Sequence, residues 1–309
     1  MTVEALDRQG VTRPPTRDLG IMVVALLAVS TSGPLIAATA APALAIAFWR
    51  NAMGGGVLLP VALVRNRAEL RGLSSRERAL ALLAGSLLAL HFATWIPSIR
   101  YTSVASATAL VATQPIWSAL IGKARGERVG RQVWVGIVVS LSGALLLTGA
   151  DLQVSGKALL GDGLALLGGL FAAAYMTAGS EVRRSVSTTA YTAVCYSTTA
   201  LLLLVACLVG RQRLSGYDSS DWVKLVALTA GAQLLGHSLF NVVLRTTSPT
   251  VVSLSILFEI PGAALVAALF VSGQHVPWLA VPSAALLVTG LAIVIRSGSR
   301  TTEPSVPVE

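Results

Sequence analysis

The chain has 309 residues and a formal net charge of +9, and 54% of its residues are hydrophobic while 12% are charged. Soluble domains carry about a quarter charged residues, so this composition and a mean hydropathy of +0.74 exclude an ordinary soluble fold. The basic residues lie in short breaks between apolar runs, not on one face or tail, which argues against nucleic acid as a partner.

Charged residues and turn residues divide the chain into ten apolar segments. Each is close to the ~20 residues that a helix needs to cross the ~30 Å hydrocarbon core of a bilayer. Backbone polar groups cannot stay unpaired in lipid, so each segment is predicted to be a transmembrane helix. The predicted spans, numbered 1 to 10 in chain order, cover residues 19–38, 42–64, 79–99, 103–122, 132–150, 158–180, 188–210, 222–244, 249–272 and 277–295.

The positive charges between the spans predict the orientation of the chain. With the N-terminus in the cytoplasm, the cytoplasmic segments carry 17 Lys and Arg residues and the outer loops carry 5. Cytoplasmic loops are typically enriched in these residues, so both ends, residues 1–18 and 297–309, are predicted to be cytoplasmic tails. The sequence therefore predicts a multi-pass protein of the cell (inner) membrane.

An internal repeat relates the second half of the chain to the first. The segment "ATQPIWSAL" (112–120) aligns with "FEIPGAALV" (258–266), which places Pro115 opposite Pro261. Further along, "SGALLL" aligns with "TGLAIV" at nearly the same offset. Short matches that recur in the same order indicate two copies of one structural unit.

The two repeats, residues 19–150 and 151–296, contain five predicted spans each. Because five is odd, the second repeat starts from the opposite side of the membrane, and the two halves are inverted relative to each other. The predicted fold is therefore all-α and integral to the membrane, with ten transmembrane helices in two inverted five-helix repeats. This architecture is typical of secondary transporters, whose substrate site lies near the membrane midplane between the repeats.

Three stretches, "AIAFWRN", "GDGLALLGGLFAAAY" and "LGHSLFNVVLRTTSPTVVSLSILFEIPGAALVAAL", resemble the EamA-type proteins of the drug/metabolite transporter superfamily. The resemblance extends over about 19–296 and implies a carrier that exports a small metabolite, an amino acid or a drug. Two departures stand out. The second copy of the family's Gly-Glu pair reads Gly273–Gln274, whereas Gly126–Glu127 keeps it, and Ile260 separates Glu259 from Pro261 in span 9.

Two full charges lie deep within predicted spans, where a charge is costly: Arg50 in span 2 and Glu259 in span 9. A clamp for an anionic substrate group is one interpretation of Arg50, because its planar fork matches a carboxylate. A structural role is the preferred one, with the guanidinium on carbonyl oxygens freed near Gly54–Gly56 and Pro60. A polar residue, Tyr196, occupies the equivalent place in the second repeat.

Glu259 is the preferred binding residue. Pro261 removes one backbone hydrogen bond from span 9, and Pro115 does the same beside Gln114 in span 4. Broken helices at matching depth in the two halves are typical of a transporter's binding site. A buried carboxyl there suits a proton or a substrate amine. A structural carboxyl, protonated or paired with Arg50, is the alternative.

The remaining intramembrane polar residues are assigned by their helical spacing. Gln233, His237 and Asn241 recur every four residues on one face of span 8, which is predicted to look inward, and His91 and Trp95 form a similar pair in span 3. The predicted substrate-binding residues are Glu259, Gln114, His237, Trp95, Tyr175 and Trp117. The predicted structural polar residues are Arg50, Tyr196, His91 and Asn241.

A secondary transporter is the preferred function, with export as the direction and protons as the candidate coupling ion. The alternatives are a membrane-embedded enzyme and a non-transporting membrane scaffold. An enzyme would need a nucleophile with a base, paired carboxylates or a metal cluster, and the sequence shows none of these at a suitable spacing, so no enzymatic activity, cofactor or metal is predicted. The expected partners are a small-molecule substrate and the lipid bilayer, and the oligomeric state stays open.

Overall fold

The fold is described from a computed structural model that covers residues 13–102, 104–148, 155–270 and 277–298. These residues form helices joined by short connections, and no strand occurs among them. The helices of the first half are α1 (Thr16–Val29), α2 (Ser32–Ala37), α3 (Ala43–Arg65), α4 (Arg67–Gly72), α5 (Ser75–Tyr101), α6 (Val104–Val111), α7 (Gln114–Ala124) and α8 (Arg131–Thr148).

The second half begins with two long helices and ends with shorter pieces. Its helices are α9 (Gly156–Arg183), α10 (Thr188–Val209), α11 (Ser219–Leu228), α12 (Ser238–Val243), α13 (Pro249–Ile256), α14 (Glu259–Phe270) and α15 (Ala280–Ser297). A π-helix, Thr229–His237, connects α11 with α12, so that the three form one continuous span. The all-α membrane fold that the sequence predicts is confirmed.

Within the described residues, nine helices are long and apolar enough to cross a membrane. The fourth predicted span, 103–122, falls into two shorter helices, α6 and α7, neither of which is long enough by itself. The number of ten spans therefore stays a prediction. Large apolar side chains face outward along the helices, and Val64, Val209 and Trp278 are each at least 80% exposed. Such a surface suits lipid, and the protein is a multi-pass membrane protein.

Glycines allow the long helices to pack closely. The main pairs are α5 with α9, α3 with α10, and α8 with α15. A Cβ atom on Gly85 of α5 would lie 2.7 Å from the carbonyl oxygen of Cys195, and one on Gly136 of α8 would lie 2.6 Å from that of Gly290. The same holds for Gly161 in "GDGLALLGG", where a Cβ would lie 2.7 Å from the backbone nitrogen of Thr102. Small residues of this kind let helix backbones approach in lipid.

Candidate functional site

Two spans are broken near their prolines, as the sequence predicts. The first break separates α6 from α7, which begins at Gln114 with Pro115 in its first turn. The second separates α13 from α14, which begins at Glu259 with Pro261 two residues later. Proline lacks a backbone N–H and is tolerated in the first turn of a helix, so it marks the start of each second piece.

Two irregularities in the other spans were not predicted. Span 1 is interrupted between α1 and α2, where Ser30 donates to the Leu26 carbonyl oxygen at 2.8 Å and Thr31 to that of Ala28 at 2.7 Å. The run of Ser and Thr followed by Gly33 and Pro34 is a signal that could have revealed this break, because their hydroxyls compete for backbone carbonyls. The π-helix of span 8 has no comparable signal, and such segments often occur at functional sites.

The break of span 9 contacts that of span 1, and the break of span 4 packs against the unbroken span 6. A Cβ atom on Gly262, next to Pro261, would overlap the side chain of Ser30, so the interruptions in spans 9 and 1 are in contact. In the other half, a Cβ on Gly169 of α9 would lie 3.0 Å from the carbonyl oxygen of Val111, at the break of span 4. Irregular backbone in a membrane protein is found where it is covered by protein or borders a cavity.

A cavity of about 1030 Å³ lies between these broken segments and is lined by residues of both halves. Five of the six predicted substrate-binding residues border it: Glu259, Gln114, His237, Trp95 and Tyr175. His91, predicted as a structural residue, borders it as well. Trp117 is not among the lining residues, because its side chain turns back along α7 and its indole N–H donates to the Thr113 hydroxyl at 3.2 Å.

Glu259 borders the cavity at the first residue of α14. Its side chain makes no hydrogen bond or ion pair within the described part of the chain. The carboxylate and the guanidinium of Arg50 interact electrostatically, although they do not form a direct ion pair. Glu259 is therefore placed to accept a proton or a cationic group from a molecule in the cavity.

Arg50 is completely buried beside the cavity and connects spans of both halves. Its Nε donates to Oε1 of Gln233 in the π-helix at 2.9 Å, and its Nη1 lies 3.4 Å from the hydroxyl oxygen of Ser32. The guanidinium also lies 4.5 Å from the ring centre of Phe92, within the range of a cation–π interaction. Gln233 in turn donates to Oδ1 of Asn51 at 3.0 Å.

These contacts change the predicted partners of Arg50. The sequence suggested carbonyl oxygens freed near Gly54–Gly56 and Pro60, but α3 continues from Ala43 to Arg65 with Pro60 inside it. The partners are instead side chains of spans 1, 3 and 8. One guanidinium nitrogen, Nη2, is buried without a hydrogen-bond partner. Arg50 thus joins helices and keeps one donor unused.

A second polar cluster forms the floor of the cavity. Tyr175, which borders the cavity, and Asn241, which is buried, are hydrogen-bonded, with 3.0 Å between the tyrosine oxygen and Oδ1. Asn241 Nδ2 also donates to the His237 carbonyl oxygen at 2.9 Å and lies 3.4 Å from the hydroxyl oxygen of Tyr196. Tyr196 and Asn241 therefore sit together in the core, while Tyr175 faces both the core and the cavity.

The two histidines occupy different settings at the cavity wall. His91 lies 2.9 Å from the Gly168 carbonyl oxygen through Nδ1, which places a proton on that nitrogen, and its ring stacks on Trp95 with 5.6 Å between centres. His237 contacts the ring of Phe92 edge to face at 6.1 Å. Gln114 donates to the Ser253 hydroxyl at 3.1 Å, which links the two proline-broken spans.

The cavity has a mouth and a closed end. Its mouth is formed by residues at the ends of α2, α5 and α8 and in the connections after α2 and before α15, namely Ala37, Arg100, Thr148, Ala40 and Pro277. The closed end is crossed by polar contacts between the two halves. Glu181 at the end of α9 pairs with Arg125, and Ser187 Oγ lies 2.6 Å from Oε2 of Glu69.

Among the described residues, no group of three or more His, Cys, Asp or Glu side chains is placed to hold a metal ion. Cys195 and Cys207 are both free and buried. The lining residues offer one carboxyl, two imidazoles, one amide, the guanidinium of Arg100, several hydroxyls and aromatic rings around a mainly apolar space.

The comparisons with known proteins agree with this geometry. The family model described as "EamA-like transporter family" matches residues 18–149 and again residues 159–296. A solved structure, described only as a crystal structure of a protein, is 19% identical, covers 92% of this chain and 98% of its own, and superposes with a TM-score of 0.76. No curated protein matches the sequence. Since the two family matches cover nearly all of the described residues, the chain belongs to the EamA-like transporter family, which places it among the membrane transporters of the drug/metabolite transporter superfamily.

Proposed function

We propose that the protein is a secondary transporter that exports a small amphipathic molecule by alternating access. The observation that carries the proposal is the cavity of about 1030 Å³ between helix breaks of both family repeats, with Glu259 on its wall. Ligand pockets of about 300–1,000 Å³ hold drug-sized molecules, so the space suits a metabolite, an amino acid or a drug rather than a polymer.

The residues of the cavity wall limit the chemical class of the substrate. Apolar and aromatic side chains dominate, and Glu259 is the ionisable carboxyl among the lining residues. Arg50 is the one guanidinium buried beside the cavity within the described spans. A sugar nucleotide or phosphate ester would need several deep cations for its multiple charges, so such anions are a poor fit. A substrate with an apolar body and one amine or one acidic group fits better.

The pattern of helix packing supports a pseudo-two-fold relation between the two halves, and the odd number of predicted spans in each half supports their inversion. Spans 2 and 7 pack together, as do spans 5 and 10, and each of these pairs maps onto itself when the halves are exchanged. The contact of span 3 with span 6 maps onto that of span 8 with span 1, which is also present. We propose repeats at residues 19–150 and 151–296 around a pseudo-two-fold axis in the membrane plane.

The direction of opening follows from the charge distribution. The mouth of the cavity lies at the loops that carry few positive charges, and the closed end lies at the loops rich in arginine. With the cytoplasm on the arginine-rich side, we propose that the cavity is open to the outside. Protons are the proposed coupling ion, since a carboxyl without a protein partner is free to exchange a proton with a substrate amine.

The membrane-embedded enzyme and the scaffold are less well supported. The described residues offer no metal cluster near the cavity, and neither activity would require broken helices that meet between two repeats. The family assignment also favours transport over both.

Counterflow in proteoliposomes tests the proposal. Purified protein is screened for thermal stabilisation by the twenty common amino acids and by lipophilic amines, and each stabilising compound is loaded into liposomes at high concentration. The radiolabelled compound should then accumulate transiently inside liposomes with protein and not in protein-free ones. A protein that is stabilised by a compound but gives no counterflow with it would contradict transport and favour the scaffold.

A further inference from the structure

Two aspartates lie near the starts of equivalent helices but at opposite ends of the molecule. Asp18 is in the first turn of α1, and Asp162 lies 144 residues later near the start of α9. This spacing is close to the offset between Pro115 and Pro261, so the two aspartates occupy corresponding places in spans 1 and 6.

Asp18 makes a contact between the two halves at the closed end of the cavity. Its side chain is 6% exposed, and its Oδ2 accepts hydrogen bonds from the hydroxyls of Thr246 and Thr247, with 3.0 Å to the latter. These threonines follow α12, the last piece of span 8. Hydrogen bonds to an ionised carboxylate are stronger than those between neutral groups. Asp18 therefore fastens span 1 to the end of span 8.

Asp162 has the corresponding position without the corresponding bonds. Its Oδ1 is buried and has no hydrogen-bond partner among the described residues. Its neighbour Gly161 packs against Thr102, which follows span 3 and corresponds to Thr247 at an offset of 145 residues. The Thr102 hydroxyl could therefore donate to the Asp162 carboxylate, but the two groups are not hydrogen-bonded. A buried acceptor left unpaired is unfavourable, so a hydrogen bond from Thr102 would stabilise this end of the molecule.

Another pair of symmetric contacts shows that this difference is specific. Glu77 in the first turn of α5 bonds to the Ser185 hydroxyl between spans 6 and 7. Its counterpart Asp221, in the first turn of α11, accepts from the Ala40 backbone nitrogen between spans 1 and 2 at 3.3 Å. These contacts are formed at both ends, whereas the contact at the start of spans 1 and 6 is formed at only one.

We propose that Asp18 and Asp162 are two alternating latches, of which one closes whenever the other opens. In the outward-open state Asp18 holds Thr246 and Thr247, and the cytoplasmic end stays shut. When the cytoplasmic end opens, span 1 leaves these threonines, the mouth closes, and the carboxylate of Asp162 accepts a hydrogen bond from the Thr102 hydroxyl. This inference rests on the proposed alternating access and names the contacts that separate its two states.

Distances across the mouth test the latches without any substrate. Spin labels at Ala37 and Leu147, which line the mouth from α2 and α8, are placed in a Cys195→Ala, Cys207→Ala background and measured by electron–electron double resonance in nanodiscs. Asp18→Ala should increase the ratio of short to long distances at least twofold, because it releases the outward-open state. Asp162→Ala should decrease that ratio at least twofold, because it weakens the inward-open state and removes the unpaired acceptor.

Two further variants test whether the changes in distance come from the latches. The double variant Thr246→Val, Thr247→Val removes the donors of the first latch while keeping Asp18, and it should shift the distances as Asp18→Ala does. The control Asp218→Ala removes an exposed acid that makes no capping hydrogen bond and should leave the distribution unchanged. Unchanged distances in the threonine variant, or a shift to short distances in Asp162→Ala, would overturn the latches. Counterflow by the wild type decides the proposed function separately.

Discussion

Arg50 and Glu259 carry the two charges that lie deep within the spans, and they differ in their contacts. Arg50 is held by Gln233, Ser32 and the ring of Phe92, so its charge is shared among several spans. Glu259 has no such partner and borders the cavity. A group that is held by several partners suits a structural role, and a group that is unpaired beside a cavity suits binding. We therefore propose a structural role for Arg50 and a binding role for Glu259.

Glu259→Gln separates the two interpretations of this carboxyl. The change keeps the volume and removes the proton exchange, so we expect counterflow to fall at least tenfold and to lose its pH dependence, with unchanged yield and melting temperature. If Glu259 were instead the essential partner of Arg50, the variant would leave a buried charge unpaired at a cost of about 3–5 kcal/mol and would melt early. Asp218→Asn is the control, because this acid is exposed and makes no capping hydrogen bond.

A stable, fully active Glu259→Gln variant with the pH profile of the wild type would contradict both interpretations. Loss of stability that a second change at Arg50 restores would assign Glu259 a structural role. Either result is read from counterflow and thermal unfolding of the same preparation.

At the scale of the single residue, the sequence identifies which side chains are costly in lipid but not what they contact. Arg50 and Glu259 are recognisable because charges at that depth are rare. The Gln233 partner of Arg50 was not predictable, because the π-helix changes the rotation of span 8 along its length. The direction of Trp117 was not predictable either, since its indole finds a hydroxyl on its own helix.

Some irregularities of the helices can be predicted from the sequence and others cannot. Pro115 and Pro261 indicate the breaks of spans 4 and 9, because proline cannot donate within a helix. The interruption after α1 has a weaker signal in Ser30 and Thr31, which bond back to their own helix. The π-helix contains Gln233, which bonds to Arg50 and Asn51, and no residue pattern in the sequence marks it. All four irregular segments contribute residues to the cavity wall.

The close packing of α5 on α10 yields a stability prediction. A Cβ on Gly85 would lie 2.7 Å from both the Cys195 carbonyl oxygen and the Thr198 Cβ, so Gly85→Ala must push the two helices apart. We expect a loss of about 1–3 kcal/mol, typical of overpacking, seen as a lower melting temperature in detergent. Gly56→Ala is the matched control, because no atom lies within 4 Å of its added Cβ. Equal melting temperatures for the two variants would refute the packing of these helices.

For the whole molecule, the family match of both halves fits the internal repeat that the sequence predicts. Hydropathy reveals the number of apolar segments, yet the fourth segment forms two short helices rather than one long helix. Sequence periodicity cannot place the cavity, because the cavity arises where breaks from different spans come together. Its mouth and closed end are properties of packing between the halves and follow from no single segment.

The orientation of the molecule is a separate prediction. The charge distribution places Ser75 in the cytoplasm and Gly156 outside, and both positions are exposed. A single cysteine at Gly156 should react with an impermeant maleimide in intact cells, whereas one at Ser75 should react only after the membrane is opened. The reverse labelling pattern would contradict the predicted topology and would mean that the cavity opens to the cytoplasm.

The cavity should be accessible from each side of the membrane in turn. A single cysteine at Ala263, which lines the cavity on α14, tests it most directly in a background without Cys195 and Cys207. We predict that an impermeant maleimide labels this cysteine from outside in intact cells and from the cytoplasmic side in inverted vesicles. A compound that supports counterflow should change the labelling rates in cells and in vesicles in opposite directions. Labelling from the outside alone, whatever compound is present, would contradict alternating access.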